Sequence, residues 1–458
     1  MAPLTGFRFL QVGGGPVERA AGTLLARLGA EVIAVLDPPD AGAVLAAPRA
    51  PGHAGRLVLT GGATSTDDVP AHGVVDGSGR ADGPIVVRTD RCTPGRAGWA
   101  ASGAMALTGR PDGPRLLPPG DVATGMHAAA TVVELLSALG GTRVAVDGPA
   151  LLGERAALSG RTRAGRATVG GAGRLLRTAD GWVAVSLPRS SDRESVPAWL
   201  GSTAGGADDP WPGVTAAATE RTTEALVRDG QLLGLAVAAL APTETRVVPA
   251  DEQLDARGQT RPPSPYVVDG AVVPLGPARP VDPSAVSSRP PAAPRPLRGR
   301  SVLDLSALWA GPLATALLAE SGATVTKVES TTRPDGAREG EPRFFALLDQ
   351  AKEHRIVDLS DRRGVDDLRA ACAAADLVVE ASRPRALDQL GVARRAPWLS
   401  ITAYGRTGPW RQWVGFGDDA AAAGGLVAWE DHEPRFLADA AADPAAGLHA
   451  AAAALAVL

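Results

Sequence analysis

The chain has 458 residues, 45% of them hydrophobic, and a formal net charge of -4. This length corresponds to about three domains, and the near-neutral charge offers no basic surface to nucleic acid. We therefore expect no nucleic-acid partner. The sequence has two cysteines, Cys92 and Cys372, and no CxxC or histidine spacing. It predicts neither a disulfide framework nor a metal site.

The N-terminus MAPLTGFRFLQV lacks the basic region and apolar stretch of a signal peptide. No run of the sequence reaches the roughly 18 to 20 apolar residues that span a bilayer. We therefore expect a cytoplasmic protein with no membrane association.

The chain begins with a segment that it later repeats. Residues 6–35 predict a strand, a glycine-rich turn, a helix from Pro16 to Leu28 and a second strand, and residues 299–328 align with them without a gap. This βαβ order favours a parallel sheet. Residues 36–83 are rich in glycine, proline and aspartate, which predicts an abbreviated sheet in the first copy.

A second repeated element carries a carboxylate. GDVATGMH at residues 120–127 is echoed by ADPAAGLH at 442–449, so that Asp121 and Asp443 each precede a histidine by six residues. Aspartate followed by proline and an apolar helix is a common N-cap arrangement. A carboxylate held at a helix start is also a positioned nucleophile or base. Asp443 and Asp121 are therefore our candidate catalytic residues.

Between the copies lies a stretch without a counterpart. We predict large domains at residues 1–145 and 299–458, and a smaller α+β domain at 173–283 that opens with two strands joined by a turn at Asp180 and Gly181. Residues 146–172 are predicted as a linker, and residues 284–298 as a proline-rich one.

Lysine is rare in this chain. Of the 46 lysine and arginine residues, only Lys327 and Lys352 are lysine. An ammonium is a compact charge suited to a phosphate or carboxylate. Both are candidate anion-binding residues, although two chance surface lysines would give the same composition.

Several motifs together resemble one family. SVLDLSALWAGPLATALLAESGATVTKVES at 301–330, DLVVEASRPRALDQLG at 376–391, SITAYGRTGP at 400–409 and the paired aspartate elements are similar to the class III CoA-transferases. That family also includes the α-methylacyl-CoA racemases. Gly173–Leu187 and residues 245–258 resemble the family's small domain.

The resemblance implies an α/β fold with two Rossmann-like large domains and the smaller α+β domain between them. Family members form interlocked rings of two chains, and this chain resembles a fused, reduced version of such a dimer. We expect the small domain to cover the second large domain and to complete one site, at Asp443. The protein would then be a monomeric pseudo-dimer, or a homodimer if another chain supplies a second small domain.

The resemblance also implies a reaction. In the family, the aspartate attacks an acyl-CoA thioester to give a mixed anhydride, and CoA then passes through an aspartyl thioester to a carboxylic acid acceptor. Coenzyme A thioester is thus a substrate, and no permanently bound cofactor is expected. The implied CoA contacts are Trp309, Ala310, Gly311, Ser330, Lys352, Ala381, Ser382 and Arg383, and the implied glycine loop over the intermediate is Gly170, Gly171 and Gly173.

Departures from the family pattern leave alternatives open. Ser330 stands where many members carry arginine, AKEHR replaces the NKRS pattern around Lys352, and Ala34 stands opposite Lys327 in the first copy. The first copy is therefore expected not to bind CoA. A degenerate member that binds acyl-CoA or a partner protein without turnover remains an alternative.

Two other activities are less favoured by the sequence. A racemase needs an acid and base pair, and Phe416 stands where its histidine would fall. An NAD-dependent oxidoreductase is suggested by Gly13, Gly14 and Gly15 with Asp37, but Glu18 replaces the third glycine of the fingerprint.

Overall fold

The structure is a computed structural model of the chain. The residues that it describes are 8–12, 16–28, 31–35, 57–60, 85–88, 95–201, 209–240, 267–268, 271–272, 296–406 and 409–458. Residues 245–258, the glycines at 13–15, Asp37 and Cys92 lie outside these ranges, so the predictions made on them stay predictions.

The described residues form a mixed α/β protein with parallel sheets. The second copy contains a five-stranded parallel sheet of order β12-β11-β10-β13-β14. Its first strand lies in the middle, which is the order of doubly wound folds. The strands are β10 (Ser301–Leu305), β11 (Thr324–Ser330), β12 (Glu353–Val357), β13 (Leu377–Glu380) and β14 (Trp398–Ser400).

The helices of the second copy fall close to where the apolar spacing predicts them. They are α10 (Ala310–Glu320), α11 (Pro342–Asp349), α12 (Arg362–Ala374), α13 (Pro384–Gln389), α14 (Gly417–Ala423) and α15 (Ala442–Val457). A 3-10 turn covers Gly336–Glu339, and an antiparallel hairpin of β15 (Val427–Glu430) and β16 (Glu433–Phe436) precedes α15.

The first copy has a smaller parallel sheet. Its order is β2-β1-β3-β4, with β1 (Arg8–Val12), β2 (Glu31–Val35), β3 (Leu57–Thr60) and β4 (Ile85–Arg88). The first two strands start at the positions that align with the starts of β10 and β11. Among the described residues this sheet has no counterpart of β12.

Five helices of the described residues accompany the first sheet. They are α1 (Pro16–Arg27), α2 (Gly95–Ala101), α3 (Ala104–Leu107), α4 (Val122–Leu139) and α5 (Leu151–Leu158). Sequence analysis missed α5, because residues 146–172 were expected to be a linker. This helix is only eight residues long, too short to show a clear apolar period, and it is held by burial of Leu151, Leu152 and Ala156.

The middle of the chain forms an antiparallel sheet with small helices. The hairpin predicted around Asp180 and Gly181 is present, because β5 pairs with β6 and the Thr178 N–H donates to the Gly181 carbonyl. The elements are β5 (Gly173–Arg177), β6 (Trp182–Ser186), β7 (Ala236–Ala239), α6 (Ser190–Glu194), α7 (Val196–Leu200), α8 (Trp211–Glu220), α9 (Thr223–Leu232), β8 (Val267–Val268) and β9 (Ala271–Val272).

The two copies share one hydrophobic core. Helices α1 and α4 of the first copy and α10 and α15 of the second contribute to a single buried cluster. α4 packs on α1 as α15 packs on α10, and α4 and α15 also contact each other. The repeated helices therefore form the interface between the repeated halves.

The antiparallel sheet packs against the second copy. Leu175 and Ala184 share a buried cluster with Ala422 of α14 and Phe436 of β16. The side-chain amide of Gln231 donates to the carbonyl of Val414 at 2.9 Å and accepts from its N–H at 2.7 Å. This segment therefore lies beside the helices that carry the aspartates described below.

One helix of the described residues is long and apolar enough to cross a membrane by length and composition. It is α4, and 72% of its apolar window is buried inside the protein. The expectation that no run reaches this length is wrong for α4. Its burial between α1 and α15 is the environment of a core helix.

The packing of α15 on α10 requires a small residue. A Cβ added at Gly447 would lie 2.7 Å from Leu313 Cδ2 and 2.9 Å from the Ala310 carbonyl oxygen. The aligned glycine of the first copy, Gly125, is exposed, and an added Cβ there would meet nothing within 4 Å.

We predict opposite effects for the two alanine variants. Gly447→Ala should lower the free energy of unfolding by about 1–3 kcal/mol through overpacking. Gly125→Ala, the matched control, should raise it by about 0.5–1 kcal/mol because alanine favours the helix. Urea unfolding of both variants tests this, and equal effects would contradict the asymmetric packing.

Candidate active site

Asp443 lies in the first turn of α15. The helix begins at Ala442, and the Asp443 N–H already donates to the Ala440 carbonyl at 2.8 Å. The prediction that Asp443 is the N-cap with proline at the first helical position is therefore wrong by about two residues, since the chain turns earlier. The carboxylate still lies at the positive end of the helix dipole.

Asp443 belongs to a group of four aspartates, of which Asp419 and Asp439 are buried and Asp443 and Asp418 are half-buried. Burial raises the pKa of Asp443 to about 6, the nearby Arg155 opposes this, and Asp439 adds to it. Burial also raises the pKa values of Asp418 and Asp419, at the start of α14, to about 7. Asp443 is therefore mostly ionised at pH 7, whereas Asp418 and Asp419 are poised to hold protons.

Arg155 of α5, in the segment that follows the first copy, reaches this group. Its Nε donates to Asp439 Oδ2 at 2.8 Å, and its NH2 group donates to Asp439 Oδ1. Asp439 is fully buried, and its neighbours Ala438 and Ala440 both have positive φ, at 55° and 48°. Such backbone is rare outside glycine and is common at functional sites.

Hydrogen bonds from both copies hold this strained loop. The Ala438 N–H donates to Thr108 Oγ1 of the first copy at 3.0 Å, and the Ala440 N–H donates to Asp418 Oδ1 at 2.9 Å. The loop before α15 is therefore fixed against the first copy on one side and against α14 on the other.

Trp309, an implied CoA contact, is buried beside Arg155. The Arg155 guanidinium lies 4.7 Å from the centroid of the Trp309 ring, and Phe344 meets the same ring edge-on at 5.0 Å. The indole Nε1 has no hydrogen-bond partner among the described residues. Packing and the cation–π contact therefore hold this ring.

Two glycines allow close approach around this site. A Cβ added at Gly417 would lie 2.7 Å from Asp443 Cγ, so α14 starts directly against the carboxylate. Gly311, which follows Ala310 at the start of α10, lies against Ser306, where a Cβ would meet the hydroxyl at 2.1 Å.

Lys352 lies in the core and not at the surface. Its ammonium donates to Asp349 Oδ1 at 2.7 Å, to Asp304 Oδ2 at 3.1 Å and to the Pro312 carbonyl. Lys327 is also fully buried, 2.8 Å from Asp335 Oδ2. All three Lys352 donors are occupied, so the phosphate contact that the resemblance implies is not available in this structure.

The remaining implied CoA contacts lie at the ends of β11 and β13. Ser330 ends β11, and its hydroxyl lies 3.1 Å from Thr332 Oγ1. Ala381 is exposed, and the Ser382 N–H donates to Glu380 Oε2 at 3.1 Å. Because carboxyl ends of parallel strands share one edge, these residues lie at the edge where doubly wound folds bind ligands.

Arginines from two parts of the chain gather near this edge. Burial, followed by repulsion from Arg189, Arg385 and Arg333, lowers the pKa of Arg383. Burial lowers the pKa of Arg189, and so does Arg333. Asp192 has the opposite effect and raises that pKa. These arginines therefore carry more positive charge than Asp192 neutralises, an arrangement suited to phosphate oxygens.

The glycine loop precedes β5. Gly170 and Gly171 are exposed, Gly171 has φ of 80°, and its N–H donates to the Thr168 carbonyl at 2.8 Å. Gly173 is buried, and its N–H donates to Thr168 Oγ1. Gly171 lines a cavity of about 320 Å³ together with Arg193 and Trp211.

Asp121 is an exposed helix cap. Its carboxylate accepts from the Thr124 N–H at 3.1 Å, from the Thr124 hydroxyl at 2.6 Å and from the Gly95 N–H at 3.1 Å. These bonds are what the capping interpretation predicts. The structure thus gives the two repeated aspartates different surroundings.

Sequence reasoning missed four residues of this site. Arg155, Asp418, Asp419 and Asp439 are in no repeated element that we used, and Arg155 lies 284 residues from its partner Asp439. For Asp418 and Asp419, the sequence signal was the pair of consecutive aspartates after Gly417, at the start of a helix.

The fold and the carboxylate of Asp443 define an α/β protein with a candidate nucleophile at a helix start. Residues 297–458 match the model of CoA-transferase family III. This match lies in the second copy, and it confirms the resemblance given by the motifs of that copy.

Two relatives of known name match this chain over segments of similar length. The chain is 34% identical over 174 residues to succinyl-CoA:glutarate CoA-transferase of Mus musculus, covering 34% of this chain and 40% of that protein. It is 33% identical over 190 residues to succinyl-CoA–D-citramalate CoA-transferase of Chloroflexus aurantiacus, covering 38% and 46%. The chain thus spans less than half the length of these relatives.

A crystal structure of a hypothetical protein from Mycobacterium tuberculosis also matches. It shares 30% identity and covers 34% of this chain and 47% of that one, with a TM-score of 0.32. That score is too low to support a statement about shared architecture.

The raised pKa of Asp419 makes stability depend on pH. Its folded-state pKa of about 7 exceeds its usual 3.8, so the native state holds a proton that the unfolded state releases. Stability should therefore fall as pH rises from about 4 to 7. Asparagine keeps the acceptor for the Phe416 N–H and removes the charge.

We predict that Asp419→Asn is more stable than the wild type at pH 8, by up to about 4 kcal/mol, and equal to it at pH 4. The control is Asp358→Asn. The Ser360 hydroxyl lowers the pKa of that exposed carboxylate, so removing the carboxylate charge should slightly lower the free energy of unfolding at pH 8. Urea unfolding at both pH values measures this, and a gain independent of pH would contradict it.

Proposed function

We propose that this protein is a CoA-transferase that moves CoA from an acyl-CoA donor to a carboxylic acid acceptor, with Asp443 as the nucleophile. The observation that carries the proposal is the position of Asp443: a half-buried carboxylate with a raised pKa in the first turn of α15, inside the segment that matches the model of CoA-transferase family III. The acyl-CoA and the acceptor acid are then the partners, and coenzyme A enters as part of the substrate.

The proposed chemistry needs an ionised carboxylate. Asp443 attacks the thioester carbonyl carbon, the C–S bond breaks, and CoA leaves as a thiolate. The thiolate attacks the aspartyl carbonyl of the mixed anhydride and releases the donor acid as a carboxylate. The acceptor carboxylate displaces CoA from the aspartyl thioester, and the thiolate then takes the acceptor's acyl group and restores Asp443. A pKa of about 6 supports this role, because most Asp443 is ionised at pH 7.

The arginines beside β13 are the proposed site for the CoA phosphates. Arg383 stands at a position that the family uses for CoA, and Arg189 and Arg333 face it. This assignment replaces the phosphate contact expected of Lys352, whose ammonium is engaged in the core. It also accounts for a CoA site in which Ser330 stands in place of arginine.

The chain is proposed to be a fused, reduced form of the family's dimer, with two Rossmann-like large domains at 1–145 and 299–458 and a small domain at 173–283. The shared core of α4 and α15 and the contact of Gln231 with Val414 support one site per chain. A cytoplasmic monomer would then suffice for activity.

A binding role without turnover is the second candidate. The capped, exposed Asp121 and the buried Lys352 favour it, because both depart from the surroundings that the family resemblance implies. The racemase alternative stays disfavoured, since the residue before Gly417 is Phe416 and not histidine.

Covalent trapping separates these candidates. We expect acyl-CoA followed by hydroxylamine or borohydride to modify Asp443, as mapped by mass spectrometry. The adduct should disappear in Asp443→Asn and persist in Asp121→Asn, its repeat-matched control. Acyl-CoA binding without any aspartyl adduct would contradict the transferase and support the binding role.

The phosphate assignment predicts a selective loss. Arg383→Ala should raise KM for acyl-CoA about 10- to 100-fold, the size of one or two charge-assisted contacts. It should leave the reaction of an acyl-pantetheine thioester, which lacks the nucleotide phosphates, nearly unchanged. Arg143→Ala, which removes an exposed arginine paired with Glu134, is the control. Equal losses with both thioesters would contradict the assignment.

A further inference from the structure

Arg155 joins the two copies at the reacting carboxylate. It lies in α5, which follows the first copy, and its guanidinium makes both contacts to Asp439 of the second copy. Trp309 covers its other face at 4.7 Å. About a quarter of the Arg155 side chain is exposed, whereas Asp439 is fully buried. The guanidinium is thus fixed between a carboxylate and an aromatic ring.

We propose that Arg155 is a positioning residue for the reaction at Asp443, and that Asp439 is the anchor that holds it there. This inference rests on the proposed transferase function. It gives the segment that follows the first copy a part in the reaction, although Asp121 of the first copy is only a helix cap. The site at Asp443 would then be incomplete without the α5 segment.

The charges around Asp443 show what the guanidinium does. The charged groups that interact electrostatically with Asp443 are Asp418 and Asp419 at the start of α14, Asp439 in the preceding loop, and Arg155 from α5. Burial and Asp439 favour the protonated form of Asp443, and Arg155 opposes both. Arg155 acts in the same direction on Asp418. Among the charges that act on Asp443 in the described part of the chain, Arg155 is the positive one.

The bidentate pair sets where that charge lies. A guanidinium has a planar fork that matches a carboxylate in one orientation, so Asp439 fixes the distance of Arg155 from Asp443. The positive φ of Ala438 and Ala440 turns Asp439 toward Arg155 at a backbone cost, which a structure retains where the geometry matters. The pair therefore keeps the nucleophile ionised near neutral pH.

The test is a carbon-13 NMR titration of protein labelled at aspartate Cγ, with the Asp443 signal assigned from Asp443→Asn. We expect Arg155→Gln to raise the pKa of Asp443 by roughly 1 unit or more. We expect Asp439→Asn to lower it, because asparagine removes a negative charge near Asp443 and keeps an acceptor oxygen for the guanidinium of Arg155. The acidic limb of the pH–rate profile should move the same way in each variant.

Opposite shifts support the proposal, and a merely structural ion pair would not produce them. Shifts in the same direction, or none, would overturn it. Arg155→Lys keeps the charge and should hold the pKa near that of the wild type, so it decides the case if Arg155→Gln fails to fold. The titration needs no acyl-CoA, so an Asp443 adduct with an unresponsive pKa overturns only the positioning role. Opposite shifts without an adduct in the wild type overturn the transferase function and the role of Arg155 with it.

Discussion

The burial of α15 is the constraint on which the rest of the structure depends. The helix is rich in alanine and apolar on nearly every face, so it must be covered on several sides. α10 covers one side and the repeated helix α4 covers another. This packing brings the two copies together, and it leaves the first-turn carboxylate of Asp443 half-buried.

A carboxylate with reduced access to water then requires compensation. Asp443 lies among Asp418, Asp419 and Asp439, and burial raises the pKa values of three of these four groups. Arg155 partly offsets the repulsion. A buried ion pair contributes little to stability by itself, because the cost of desolvating both charges offsets most of their attraction. Its value lies in the charge state that it gives to the neighbouring carboxylate.

The repeat made much of the fold predictable. It aligned the βαβ units, located Asp443 through its echo at Asp121, and indicated the helices by their apolar spacing. The sequence could not show that Asp121 caps its helix in the open, because that depends on what covers each copy. It also could not show that Lys352 is paired in the core, since composition singles out a residue without its partners. Arg155 meets Asp439 only through tertiary packing, and α5 is too short for its period to be recognised.

The most direct test of the account is a crystal structure of the full chain with a slowly reacting acyl-CoA analogue. The account predicts that the thioester carbonyl lies about 3–3.5 Å from the Asp443 carboxylate, a near-attack distance. The nucleotide phosphates should lie among Arg189, Arg333 and Arg383. An analogue bound near Asp121, or one whose thioester lies far from both aspartates, would contradict the assignment of the second copy as the reacting one.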